Sequence, residues 1–337
     1  MLSSTASLLA GLLRGERASL ARSITLVESS LPAHRIEAGL LLGALATRGS
    51  GERSAIAGPR LRVGVAGPPG AGKSSLIEVL GLHILSLGSG ARVAVLAVDP
   101  SSSRTGGSIL GDAARMPVLS RAAGAYVRPS PNRGTLGGLA PATSDAVALC
   151  EAAGYGVVLV ETVGLGQSEV AIADVVDVTL LVLAPAAGDD LQGAKKGIVE
   201  VADILLVNKA DGILENAAKA AASDYTRALM LTRQLRPEWT PRILTGSALT
   251  GKGIAGVWDA LLDFSAARGG TRIAATRRTQ ATAAAWCVAA DILVTQLKAD
   301  PAARNTAQRL GHDLEAGTCA PRAAADQIIK AFLSAKS

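Results

Sequence analysis

Gly67-Pro68-Pro69-Gly70-Ala71-Gly72-Lys73-Ser74 fits the pattern G-x-x-x-x-G-K-[ST]. It follows an apolar run, Leu61–Ala66, and precedes a helical pattern from Ser74 to Leu87. That context makes it a phosphate loop. Glycines let backbone N–H groups converge on phosphate oxygens, and the helix start adds its partial positive charge. Lys73 is placed to reach β- and γ-phosphates and the Ser74 hydroxyl to ligate Mg²⁺, with Ser75 beside them.

Outward from the loop, short apolar runs recur between helical stretches: Arg92–Val98, Val157–Val160, Val178–Leu183, Ile204–Val207 and Arg242–Leu244. They are rich in Val, Leu and Ile and do not alternate strictly, as expected of strands buried on both faces. Helical pieces lie between them at Ser144–Ala153, Leu191–Val201 and Ala217–Leu235. The fold expected is a doubly wound α/β domain with a mostly parallel sheet and ligands at the carboxyl ends of its strands. We divide the chain into an N-terminal helical segment (1–58), the phosphate-loop domain (59–268) and a C-terminal helical arm (269–337). In the arm, Gln280–Lys298 and Ala323–Leu333 read as helices, with Asp300-Pro301 ending the first.

Asn208-Lys209-Ala210-Asp211 follows one of the buried runs. A carboxylate at Asp211 accepts from both guanine N1–H and the exocyclic amine, a donor pair adenine lacks, so the nucleotide expected is GTP. The Lys209 stem packs along a base, and Ser247-Ala248-Leu249 offers backbone N–H groups to guanine O6. Val157–Val160 leads into Glu161-Thr162-Val163-Gly164, an acid for the Mg²⁺ and a glycine whose N–H touches the γ-phosphate; the alternative for Glu161 is a helix N-terminal acid. Leu165 stands where small signalling GTPases place a water-orienting Gln. Slow intrinsic hydrolysis follows, with Gln167 one candidate for a partner to order.

The polar stretch from Asp99 to Asp112 brings two further carboxylates. Asp99, at a strand end, suits the metal, and Asp112 suits the metal or the attacking water, or else caps a helix from Ala113. The catalytic candidates are Lys73, Asp112 and Glu161. In Gly188–Gly197, two acids precede two bases around glycines; this is a capped helix start or a mobile loop that responds to nucleotide state.

Composition narrows the alternatives. The 337 residues suggest roughly two domains. Lys and Arg total 34 against 28 Asp and Glu, and the net charge of +6 is spread along the chain. With only 2 Phe, 3 Tyr and 3 Trp, an aromatic platform for single-stranded nucleic acid is not expected. Three scattered Cys and three scattered His argue against disulfides, a zinc site or a nickel store. No apolar run reaches about 18 residues, so no membrane span is expected, and the chain reads as soluble and cytoplasmic.

The stretches GPPGAGKSS, VDPSSSRTGGSILGDAARM, RPSPNRGTLGG, CEAAGYGVVLVETVGLGQSEV, AGDDLQGAKKGI, VNKADG and SALTGKGI resemble the methylmalonyl-CoA mutase-associated GTPases, of the SIMIBI class of phosphate-loop proteins. The resemblance covers about residues 60–260; the helical ends match by pattern alone. It implies GTP and Mg²⁺ binding and association with an adenosylcobalamin-dependent mutase, hydrolysis being coupled to cofactor delivery and to protection of that mutase. It implies Lys73, Ser74, Asp99, Asp112 and Glu161 at the phosphate and metal end, and Asn208, Lys209 and Asp211 at the base end. It also implies a further switch in Gly188–Lys196 with Asp189 and Lys195 at contacts, and a homodimer through the C-terminal arm. Ser75 stands where many relatives have Thr. A protein kinase of amino-acid transport and a metal-insertion GTPase are the alternatives; the first lacks an H-R-D pattern, the second a His-rich tract.

Overall fold

A computed structural model of the chain describes residues 2–47, 60–88, 90–99, 115–131, 141–162, 171–185, 201–230 and 236–334. Three helices lead: α1 (Leu2–Leu13), α2 (Arg17–Glu28) and α3 (Pro32–Thr47). Then come β1 (Leu61–Ala66), α4 (Lys73–Ser86), β2 (Val93–Asp99), β3 (Ala125–Pro131), α5 (Pro141–Ala152), β4 (Val157–Thr162), β5 (Val178–Leu183) and β6 (Ile204–Val207). α6 (Glu215–Met230), β7 (Arg242–Thr245), α7 (Ile254–Ala299), α8 (Pro301–Glu315) and α9 (Pro321–Ser334) complete the order.

The seven strands form one sheet in the order β3-β2-β4-β1-β5-β6-β7, and every pairing is parallel. Each residue of β4, β5 and β6 is buried, so the continuous apolar runs are strands covered on both faces. On one face Leu76, Ile77, Leu80 and Ile84 of α4 pack with Val257, Trp258, Leu261 and Phe264 of α7. On the other, Leu12, Leu20, Ile24 and Leu41 from α1–α3 pack with Val147 and Cys150 of α5 against Val158 and Val160. The leading helices thus share a core with the sheet. Burial of Cys150 pushes its thiol pKa up.

β3 is a strand the apolar runs do not reveal. It lies at the sheet edge and carries Arg128, Pro129 and Pro131. Proline lacks an N–H to donate, which an edge tolerates. α2 braces this edge: Arg17 Nη1 donates to Ala125 O at 2.9 Å, and Arg128 Nη2 pairs with Glu28 at 2.5 Å.

At the opposite end of the strands from the glycine-rich loop, four charges interlock. Arg62 of β1 makes a two-pronged pair with Glu151 (2.9 and 2.7 Å). Arg277 of α7 grips Asp177 just before β5 (2.8 and 2.5 Å) and reaches Glu151 at 3.2 Å. The Arg62 N–H also donates to Asp177, at 2.9 Å.

The chain divides into two compact units, residues 1–280 and 281–337. Within α7, Gly269 leaves the helical region (φ 66°, ψ 157°). In the second unit Asp300 caps α8, its carboxylate accepting from the Ala303 N–H at 2.9 Å, with Pro301 in the first turn. Among the described residues no helix is long and apolar enough to cross a membrane.

Candidate active site

β1 lies between β4 and β5, and the loop after it opens at the carboxyl end of the sheet. Gly67 and Gly72 are required there by conformation and by space. Gly67 has φ 144°, and a Cβ on it would lie 2.1 Å from Val182 O; Gly72 has φ 88°, and its Cβ would lie 2.5 Å from Asn208 Nδ2. Lys73, the first residue of α4, is buried, and its ammonium donates to Gly67 O (2.6 Å) and Pro68 O (3.1 Å).

Alternation along β4 sends Val157 and Leu159 to the α4 face and Val158 and Val160 to the other. Glu161 is next on the α4 face, 3 % exposed, and its Oε1 accepts from Ser74 Oγ at 2.8 Å. Two of the four expected metal-end residues are therefore brought together. Two hard oxygen donors beside a phosphate loop fit Mg²⁺, which takes one or two protein oxygens and completes its shell with phosphate and water. Among the described residues no cluster of three or more His, Cys, Asp or Glu assembles elsewhere as a metal site.

At the base end, Asn208 is fully buried and works as a strut. Its Nδ2 donates to Ala71 O (2.8 Å), while its Oδ1 accepts from the Ala248 N–H (3.0 Å). One side chain thereby joins the phosphate loop to the Ser247–Leu249 turn. The Ser247 N–H is committed to Lys252 O at 2.9 Å, and Leu249 is exposed. Lys209 takes φ 58°, the left-handed region, and Asp211 opens the turn at Gly212–Leu214.

Pro69, Gly70, Gly72, Lys73, Ser74 and Ser75 line a cleft of about 630 Å³, completed by Arg115, Glu161 and Lys209. Arg115 is the residue that sequence reasoning missed. It lies inside the quoted stretch ending DAARM, but no motif spacing marks it. A smaller cavity of about 100 Å³ lies among Asp203, Arg236 and Trp239, away from every motif, and suits a few waters. Asp99 ends β2 in register with Pro131, and only its backbone is described. Asp112, Gly164, Gln167, Asp189 and Lys195 lie outside the described residues, as do Leu165 and most of the helix expected at Leu191–Val201.

The family model described as "Methylmalonyl Co-A mutase-associated GTPase MeaB" matches residues 20–302. "GTPase ArgK" of Escherichia coli is 47 % identical over 254 residues, covering 75 % of this chain and 74 % of its own. The "Methylmalonic aciduria type A homolog, mitochondrial" of Mus musculus is 43 % identical over 329 residues, covering 96 % of this chain and 78 % of its own. Among solved structures, a "LAO/AO transport system kinase" superposes with a TM-score of 0.70 at 34 % identity, over 97 % of both chains.

Proposed function

The chain belongs to the methylmalonyl-CoA mutase-associated GTPase MeaB family, and on that premise we propose that it couples GTP turnover to adenosylcobalamin loading and protection of methylmalonyl-CoA mutase or a related isomerase. The observation that carries the chemistry is the meeting of Ser74 and Glu161 beside Lys73, under a loop that only glycines at positions 67 and 72 can form. On this reading the loop amides and Lys73 hold the β- and γ-phosphates, the ammonium exchanging two carbonyls for phosphate oxygens. Ser74 and Glu161, with Asp99 and Asp112, would hold Mg²⁺, which would supply neutralisation of the phosphate charge. Gly164 senses the γ-phosphate. Asp211 reads the guanine edge and Asn208 keeps the base and phosphate ends in register.

An apolar Leu165 in place of a water-orienting Gln supports slow hydrolysis by the chain alone. The partner then completes the site, acting through Gln167, Asp189 and Lys195. Saturating mutase is expected to raise phosphate release by more than about tenfold, roughly 1.4 kcal/mol of barrier. Turnover that stays flat with mutase present would remove the coupling. Trp286 (75 % exposed) and Leu293 (58 % exposed) give the 281–337 unit apolar surface and support its use as a homodimer arm.

The solved relative named as a transport system kinase favours a second reading, phosphoryl transfer to a protein acceptor. The same assay separates the two: hydrolysis yields free phosphate in proportion to GTP consumed, whereas transfer leaves label on the acceptor.

A further inference from the structure

We propose that Arg115 binds the terminal phosphoryl group of the nucleotide and stabilises the charge that develops there during hydrolysis. The proposal rests on reading the cleft as the GTP site. Arg115 shares that cleft with Lys73, Ser74 and Glu161.

The strand order says which end of the nucleotide it faces. Asn208–Asp211 follows β6 and Ser247–Leu249 follows β7, both on the β5 side of β1. Glu161 ends β4 on the other side of β1, and Arg115 belongs to the connection between β2 and β3, farther out on that side. A nucleotide with its base at Asp211 therefore runs its phosphates across the end of β1 toward Glu161 and Arg115.

The segment that carries Arg115 is clipped to α4. Met116 is fully buried in the core beneath α4. The N–H groups of Val118 and Leu119 donate to Glu78 Oε1 at 2.8 and 3.3 Å. Leu119 packs so closely on α4 that a Cβ at Gly81 would come within 2.7 Å of it. One helix thus presents Lys73 at its first residue and fixes the turn after Arg115 through Glu78 and Gly81. The Arg115 side chain is exposed on this anchored backbone, so it needs to move only its own rotamers to meet developing charge, and a planar guanidinium matches two phosphate oxygens at once. In the step itself a water oxygen bonds to the γ-phosphorus and the bond to the β-bridging oxygen breaks. That oxygen leaves with its electron pair on GDP, the water's proton passes to an oxygen of the phosphate released, and Arg115 stays protonated throughout.

The test uses the full chain with GTP and Mg²⁺. Arg115→Ala is expected to lower single-turnover hydrolysis roughly 10²-fold and to weaken a non-hydrolysable GTP analogue while leaving GDP affinity unchanged. Arg115→Lys, which keeps charge without the fork, is expected to recover only part of the rate. Added guanidinium at millimolar level is expected to restore turnover to the Ala variant and not to change the wild type. Glu78 is a positioning residue: Glu78→Ala lowers kcat at steady KM, and Glu78→Gln, which keeps an acceptor oxygen, restores it. Wild-type rates in Arg115→Ala, or equal losses of GDP and GTP affinity, overturn the proposal. If the wild type binds neither GTP nor GDP, the reading of the cleft fails, and the role of Arg115 with it.

Discussion

Lys73 rests its charge on the carbonyls of Gly67 and Pro68, and Asn208 divides its amide between Ala71 and Ala248. Both side chains are buried and satisfied by backbone, so the loop's shape is fixed by the fold rather than by a ligand. The same economy does not extend to Asp211, whose role is the choice of base. Asp211→Asn is expected to weaken GTP and strengthen xanthosine triphosphate, shifting their ratio by at least about tenfold, because an amide can donate to the altered base edge. Competition binding with the two nucleotides measures it, and an unchanged ratio removes Asp211 from the base site. Lys73, Glu161 and Asn208 were legible in the sequence because each belongs to a motif with a strand before it. Arg115 was not, since a lone arginine after a polar stretch carries no spacing, and only the third dimension brings it to the cleft that Lys73 lines.

Among elements, the runs Leu61–Ala66, Val178–Leu183 and Ile204–Val207 were read with the bounds the structure gives. Burial on both faces leaves no reason for a polar residue to interrupt them. β3 escaped because an edge strand can carry Arg128 and two prolines. α2 falls inside the segment read as helical, but no apolar spacing marked its bounds, since only Leu20, Ser23 and Ile24 of it are buried. The interlocked charges around Arg277 are likewise beyond sequence reading, since Arg62, Glu151, Asp177 and Arg277 come from four distant places. They supply a prediction at this scale. Arg277→Ala strips Asp177, 3 % exposed, of its guanidinium partner and leaves it the hydrogen bond from the Arg62 N–H. The expected cost is about 3 kcal/mol of stability, seen as a lower urea midpoint. GTP affinity is expected to hold, because this cluster lies at the opposite end of the strands from the cleft.

For the whole molecule, pH dependence has one identifiable contributor in α5. Burial raises the Asp145 carboxyl from 3.8 to about 6. Its folded pKa lies above its unfolded value, so between the two the folded chain binds more protons. Its contribution is present below 3.8 and is lost as pH rises through about 6. Asp145→Asn is therefore expected to stabilise the protein above about pH 6, by about 2 kcal/mol, and to flatten its stability profile below. Thermal melts of both proteins across that range check it; parallel profiles would contradict it.

The bracing of β3 by α2 has a consequence for anyone seeking a minimal nucleotide-binding piece. Trimming the chain to begin at its first strand would strip Arg17 and Glu28 from the rim of the sheet and lay bare the apolar face beneath them. An uncovered rim recruits other chains by strand addition, so the shortened protein would be lost to aggregates before its catalysis was ever impaired.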